Sequence, residues 1–278
     1  LSRPRLTVYT LFMKLLVPVD FSPYSDRALK LASLIARKSG GEITLLNVVY
    51  DPSESPILPV IARGSVADSL DQEKKERGER LKELARNNPL IKNTLVEFGE
   101  AHRAILARAI SSDIIVMGTK GIHGLSGALV GSVTLRVLRG AMIPVITVRN
   151  KVPKDIKKIV AATDTSEASG RALNAALALA EAIGAEITPV YIDTIGGHLA
   201  EGKVFWQKVV NRVSAISECK DCAVHQADSP VSGIVEFSQA HSADLIAVGK
   251  SGLSGIKEIL GSTAIGVLSA SPVPVMVV

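Results

Sequence analysis

Cysteine and aromatic residues are both scarce in this chain. Two cysteines in 278 residues rule out a disulfide framework as the source of stability. Phe, Tyr and Trp together make up 4%, so a core has to be built from Val, Ile, Leu and Ala. No stretch reaches the roughly 18 unbroken apolar residues of a membrane span. The Ala-rich run Ala172–Ala185 is interrupted by Asn174 and Glu181 and reads as a helix packed on a sheet. A dominant charge is also lacking: 32 Lys and Arg are interleaved with 27 Asp and Glu, for a net charge of +5. That balance reads as a solvated surface and not as a nucleic-acid patch, although a mild positive field suits a small anionic ligand. Neither nucleic acid nor membrane is expected as a partner.

The cysteines, Cys219 and Cys222, form one C-x-x-C pair. A zinc ribbon needs a second pair, and a thioredoxin-like motif sits at a helix start. This pair instead follows the helical pattern Val204–Ile216 and precedes a short strand, Ala223–Gln226. An incidental thiol pair is the first reading, with a local disulfide, or a redox or metal role, as alternatives. Residues 1–12 precede Met13 and match nothing later in the chain. They read as an upstream extension or a cloning remnant, not as a targeting signal. The fold is expected to begin at Met13 and the protein to be cytoplasmic.

What the chain does have is a repeat of about 140 residues, the length of a whole domain. Lys14-Leu-Leu-Val-Pro-Val-Asp20-Phe-Ser22 returns as Lys158-Ile-Val-Ala-Ala-Thr-Asp164-Thr-Ser166. Asp113-Ile-Ile-Val-Met-Gly118 returns as Asp244-Leu-Ile-Ala-Val-Gly249, and Ile143-Pro-Val-Ile-Thr-Val148 as Val273-Pro-Val-Met-Val-Val278. Domains are therefore expected at 13–150 and 151–278, joined by a short polar link containing Pro153. In the first copy, strands are expected at Lys14–Val19, Ile43–Val49, Thr94–Glu97, Ile114–Met117 and Val145–Val148. Helices are expected at Ser25–Lys38, Gln72–Arg86, His102–Ile110 and Ser132–Leu138. This alternation means βαβ units, hence an α/β fold with a parallel sheet covered by helices on both faces. Pro144 and Pro274 head the last strands, which places those strands at an edge.

Open parallel sheets bind ligands beyond the carboxyl ends of their strands. Three segments fall there in each copy: the turn after the first strand (Pro18, Val19, Asp20), the end of the second strand near Val48, and a glycine-rich run from Met117 to Thr134. The run ends at Gly131-Ser132, where a helix begins, and free amides at a helix start make a ready phosphate site. Ser132 and Thr134 add hydroxyl donors. No Walker G-x-x-x-x-G-K-[ST] is present, because Lys120 lies inside the loop and not before the helix, and no G-x-G-x-x-G follows the first strand.

This spacing resembles the universal stress protein family. Its nucleotide-binding members carry Gly, two residues, Gly, nine residues, then Gly-Ser or Gly-Thr, and Gly118, Gly121, Gly131 and Ser132 fit that pattern. The resemblance covers nearly all of 13–278 as a tandem pair. It implies two Rossmann-like five-stranded parallel sheets of the adenine nucleotide alpha hydrolase-like kind, an ATP or AMP site with Mg or Mn accompanying ATP, and pairing of last strands between modules, with a homodimer as a further option. Carried over by position, Asp20 meets the ribose or, through a cation, the phosphates. Pro18 and Val19 fall in the same turn, and Val19 and Val48 line the adenine slot. Met117 lies under base or ribose. Gly118, Lys120 and Gly121 hold ribose and phosphate, while Gly131, Ser132, Val133 and Thr134 cap the phosphates. Asp20 could instead cap the helix near Ser22, and Val48 and Met117 could be core. The second copy departs from the pattern: eight residues, not nine, separate Gly252 from Gly261, Ala162 replaces Pro18, and Ser251 stands where Lys120 stands. The carried-over site there is Thr163, Asp164, Ile192, Gly249, Gly252, Gly261, Ser262 and Thr263.

No general base is poised by sequence, since none of the five histidines, His102, His123, His198, His225 and His241, recurs between copies. The leading reading is an adenine-nucleotide-binding stress-response regulator that is non-catalytic or at most a slow ATPase. A slow ATP-hydrolysing or nucleotidyl enzyme of the adenine-binding α/β class is the alternative, because phosphoryl transfer is mostly positioning and charge stabilisation. A structural stress dimer with empty sites is the third. The Pro-rich segment Asp51–Ser69 is expected to be a mobile lid over the first pocket. The strands Val145–Val148 and Val275–Val278, each a short apolar edge, are expected to pair antiparallel.

Overall fold

Strands of four to eight residues alternate with helices through the first half of the chain. The computed structural model describes residues 12–50, 63–120, 130–194, 203–216, 221–251 and 260–278. The first half runs β1 (Lys14–Pro18), α1 (Pro23–Ser39), β2 (Glu42–Val49), α2 (Arg63–Arg86), β3 (Ile91–Phe98), α3 (Ala101–Ala109), β4 (Ile114–Gly118), α4 (Ser132–Gly140) and β5 (Val145–Val148). The second runs β6 (Lys158–Thr163), α5 (Glu167–Ile183), β7 (Glu186–Asp193), α6 (Lys203–Ile216), β8 (Ala223–Gln226), α7 (Pro230–Ala240), β9 (Leu245–Val248), α8 (Ser262–Ala270) and β10 (Val275–Val277). No helix among the described residues is long and apolar enough to cross a membrane.

The strands form one sheet in the order β3-β2-β1-β4-β5-β10-β9-β6-β7-β8. Neighbours within each half are parallel. The halves join where β10 runs antiparallel to β5, with Val275 opposite Thr147, Met276 opposite Ile146 and Val277 opposite Val145. The proline-headed strands are thus edges of their own halves that meet in the middle, and β3 and β8 form the outer edges. Pro144 and Pro274 serve as acceptors only, taking hydrogen bonds from the Ile115 and Ile246 amides, so the missing N–H costs nothing there.

Strand side chains alternate between two cores. Leu15, Val17, Ile43, Leu45 and Val116 face the layer of α1, α2, α5 and α6. Leu16, Leu46, Ile115 and Met117 face the layer of α3, α4, α7 and α8. Each core runs through both halves, the first by way of Ile146 and Met276, the second by way of Val145 and Val275. Polar contacts brace the same seam. Lys38 Nζ meets Asp155 Oδ1 at 2.7 Å and donates to Ile156 O at 3.1 Å. Lys250 Nζ reaches Ala141 O, the C-cap of α4, at 3.1 Å. Arg149 donates to Ser269 O in the last turn of α8. Both cations satisfy carbonyls that a helix end leaves unpaired.

Some boundaries differ from those read in the sequence. β3 spans Ile91–Phe98 and not Thr94–Glu97, because an outer strand is half solvated and its exposed Lys92 and Asn93 hide the apolar alternation. α2 begins at Arg63, well before Gln72. The segment read as a lid, Asp51–Ser69, is therefore helical from Arg63 onward, and the rest of it lies outside the described residues. Helix α1 begins at Pro23, two positions before Ser25, since proline suits the first helical turn, where its N–H is not needed.

Candidate functional site

The first strand of each half ends in the same strained turn. Phe21 has φ 62 and Thr165 has φ 65, a left-handed conformation that costs a non-glycine residue about 1 kcal/mol or more. In the first half, Asp20 Oδ1 accepts from the Ser22 amide at 3.1 Å. Ser22 is itself the N-cap of α1, accepting from the Ser25 amide at 3.2 Å. In the second, Asp164 Oδ1 accepts from Ser166 N at 3.0 Å and Ser166 caps α5. The capping role weighed for Asp20 thus belongs to Ser22, and Asp20 shapes the turn that precedes it.

The two halves hold this turn by different means. In the first, Asn47 on β2 donates from Nδ2 to Val19 O at 2.6 Å, while the Arg80 guanidinium lies 3.8 Å and that of Arg77 5.6 Å from the centre of the Phe21 ring. In the second, Thr163 Oγ1 accepts from Thr165 N at 3.0 Å and bonds Ser169 Oγ at 2.9 Å. Tyr191 stands at the register position of Asn47.

At the end of β4, the glycines have separate reasons. A Cβ on Gly118 would lie 2.7 Å from Tyr24 Cβ and 2.9 Å from its carbonyl carbon, so Gly118 lets the first turn of α1 press on the strand end. Gly249 has the same neighbours in the second half, Ala168 C and Ser169 N, each at 3.1 Å. Gly131 differs. Its amide donates to Thr119 O at 2.7 Å, and a Cβ there would sit 3.3 Å from that oxygen. Gly131 is the N-cap of α4, and it offers no side chain to the amides that follow; Gly261 does the same for α8, with its own amide on Lys250 O at 2.8 Å. The caps of α1, α5 and α7 are all serines whose side chains accept from the helix amides. The contrast leaves the starts of α4 and α8 with amides that no cap side chain satisfies, and a helix start carries a partial positive charge.

The expected site residues separate by their place in the fold. Val19, Asp20, Gly118, Lys120, Gly131 and Ser132 gather about the ends of β1 and β4, where the strand order reverses. Pro18 and Val48 flank them at the ends of β1 and β2. Met117 is buried in the α3/α4 core, against which Val48 also packs. Val133 is 37% exposed at the start of α4. Thr134 corrects one expectation: it is buried and its hydroxyl donates to Gly118 O at 3.0 Å, so it ties α4 to β4 and presents no hydroxyl outward. In the second half, Thr163 ends β6 and Asp164 follows it, Ile192 lies near the end of β7, Gly249 follows β9, Gly261 is the N-cap of α8, and Ser262 and Thr263 start that helix. Gly121 and Gly252 lie outside the described residues, as does Cys219. Cys222 is buried, its thiol directed at Ala223 O at 3.3 Å.

Sequence reading overlooked several residues here. Asn47 Oδ1 and Thr119 Oγ1 are buried polar atoms at the strand ends with no hydrogen-bond partner among the described residues, which is rare and needs a reason. Asn47 was visible as a lone amide in the apolar run of β2. In the second half, Asp193 ends β7 and is 1% exposed. Burial first, then the Asp193 and Asp164 carboxylates, push the Tyr191 phenol above its ordinary value. Burial pushes the Lys250 ammonium below its ordinary value.

Comparison with known proteins bears on this arrangement. A model of the Universal stress protein family matches residues 11–149 and again 155–278. A universal stress protein of Methanocaldococcus jannaschii is 32% identical over 152 residues, covering 50% of this chain and 83% of its own. The crystal structure of a universal stress protein from Archaeoglobus fulgidus is similar over 95% of this chain and 97% of its own, with a TM-score of 0.72 at 23% identity. A functionally unknown protein from Pseudomonas aeruginosa is similar over 97% of this chain and 93% of its own, with a TM-score of 0.63 at 19% identity. At such identities these two structures speak to the fold alone.

Proposed function

The chain belongs to the universal stress protein family, and we propose that within it this protein is an adenine-nucleotide-binding regulator whose main site is in the first half. The observation that carries the reading is the bare start of α4. Its N-cap glycine is fixed to the end of β4 by the Gly131–Thr119 bond of 2.7 Å, so the helix amides stand at the sheet's switch point. Anions bind such helix starts through backbone N–H groups and the helix dipole, and the glycine spacing supplies the loop that leads there. Lys120, at whose position the second half has Ser251, adds a cation for the phosphates.

The base and ribose belong, on this proposal, at the Val19–Asp20 turn and beside Val48. Asn47 Oδ1 and Thr119 Oγ1, buried without a partner among the described residues, lie near the ends of β2 and β4. Among the described residues no group of three or more His, Cys, Asp or Glu could hold a metal ion. A single carboxylate such as Asp20 suits Mg²⁺ or Mn²⁺ only as a cation shared with phosphates, and that is the part assigned to it. We propose further that β5 and β10 make the two halves one functional pair within a single chain.

Mass spectrometry of small molecules released on denaturing the purified protein tests the reading. ATP, ADP or AMP in the released fraction is the expected result. A different bound metabolite in stoichiometric amount overturns it.

A further inference from the structure

Resting on that reading, we propose that Lys250, a residue of the second half, is a positioning residue of the nucleotide site in the first. It holds the far end of α4 and so sets where the first amides of that helix stand. The antiparallel seam makes this possible. Because β5 and β10 run in opposite directions, the strand ends of one half lie beside the strand starts of the other. Lys250 follows β9 at such an end, and its Nζ donates to Ala141 O, the C-cap of α4, at 3.1 Å. Lys250 stands where the first half has Thr119. The amides of the two residues donate to Val278 O and Val148 O, and their carbonyls accept from the N-cap glycines Gly261 and Gly131. Thr119 makes no such reach, since its hydroxyl is buried without a partner among the described residues. One residue, Lys250, thus fixes the start of α8 by its backbone and the end of α4 by its side chain.

The end of α4 needs this hold. Its last residue is Gly140, where a Cβ would lie 2.5 Å from Leu106 Cδ1. Glycine lets α3 press close there but weakens the last turn. Ala141 then offers no side chain to the carbonyls left open at the helix end, and Met142 beyond it is 96% exposed. In the same two places α8 has Ala270 and Ser271. Ser271 closes its own turn, its hydroxyl donating to Val273 O at 2.8 Å and accepting from Val273 N at 3.2 Å. The body of α4 is anchored in the core by Val137 and Leu138. Its tilt is set by its ties, Thr134 on Gly118 O at the start and Lys250 at the end. Across nine residues, about 13 Å, a rigid helix carries a change of tilt from one end to the other. The ammonium also meets the negative end of the helix dipole whose positive end is assigned to the phosphates.

Titration of the full chain and its variants with ATP tests the proposal. Lys250→Met should weaken ATP at the tight site about threefold or more, the scale of a charge at a helix end, and Lys250→Arg should restore most of the affinity. Lys38→Met removes a seam cation on the opposite face of the sheet and should leave the affinity unchanged. In a Gly131→Val background, where the first helix start is covered, Lys250→Met should cause no further loss. Three results each overturn the proposal while leaving ATP binding itself in place: full affinity in Lys250→Met, equal losses in Lys250→Met and Lys38→Met, or an undiminished loss in the Gly131→Val background. No ATP binding by the parent chain overturns the first-site reading with it. If Lys250→Met does not fold, Lys250→Thr, which gives the second half the residue of the first, is compared in its place with the same outcomes.

Discussion

Tyr24, in the first turn of α1, leaves no room for a side chain on Gly118, while a Cβ on Gly131 would come no closer than 3.3 Å to any atom, the Thr119 carbonyl oxygen being the nearest. The two glycines of one motif therefore answer to different constraints, and substitution separates them. Gly118→Ala forces backbone apart and should lower stability by about 2 kcal/mol, in the range of overpacking. Gly131→Ala asks a few tenths of an ångström from Thr119 and should cost less. Urea midpoints of the two variants check the order, and equal midpoints would contradict it. The strained turns can be probed in the same way. Thr165 is β-branched at φ 65, a conformation that asparagine tolerates far better, so Thr165→Asn should raise stability by about 1 kcal/mol. Phe21→Asn should instead lower it, because the Phe21 ring packs on the core and lies under Arg77 and Arg80. A destabilised Thr165→Asn would show that the turn is not strained.

Among the elements, α4 and α8 differ from the other capped helices in having glycine at the N-cap, and the proposed chemistry is concentrated at α4. Valine at Gly131 would crowd Thr119 O and Lys120 Cα and cover the first amides. Gly131→Val should therefore weaken ATP binding at least tenfold. Gly261→Val should leave the tight site as it is. Titration of both variants checks this; loss of the tight site in Gly261→Val alone reverses the ranking of the halves. Helices α1 and α5 were legible in the sequence from the apolar spacing of the one and the Ala-rich run of the other, and the structure adds their caps, Ser22 and Ser166 at the start and Gly40 and Gly184, at φ 67, at the end. The start of α2 and the length of β3 were not legible, because a charged helix and a half-solvated outer strand dilute the apolar period that marks such elements. Asp20, Gly131 and Ser132 could be found from the repeat and the glycine spacing. The contact of Lys250 across the seam and the burial of Asp193 at the end of β7 could not, since only the folded chain brings their surroundings together. The hydroxyl of Thr134 looked like a phosphate donor because its inward orientation is set by Gly118 O, sixteen residues away in sequence.

For the molecule as a whole, the antiparallel seam of β5 and β10 decides whether the halves are independent. Both hydrophobic cores cross it, and Lys38, Arg149 and Lys250 brace it from either side. Cutting the chain at the link after Asn150 would expose two apolar edge strands, which invite pairing with any free edge. The separated halves should form dimers or aggregate on a sizing column, and clean monomers would contradict that. The tandem arrangement also lets one half diverge while remaining the structural partner of the other, in line with the unequal sites proposed above. Everything turns, however, on whether the site at α4 takes an adenine nucleotide. Calorimetric titration of the folded full chain with ATP, AMP and GTP in the presence of Mg²⁺ asks this directly: saturable binding of ATP or AMP that exceeds that of GTP is the predicted result, and no heat with any adenine nucleotide would contradict the account.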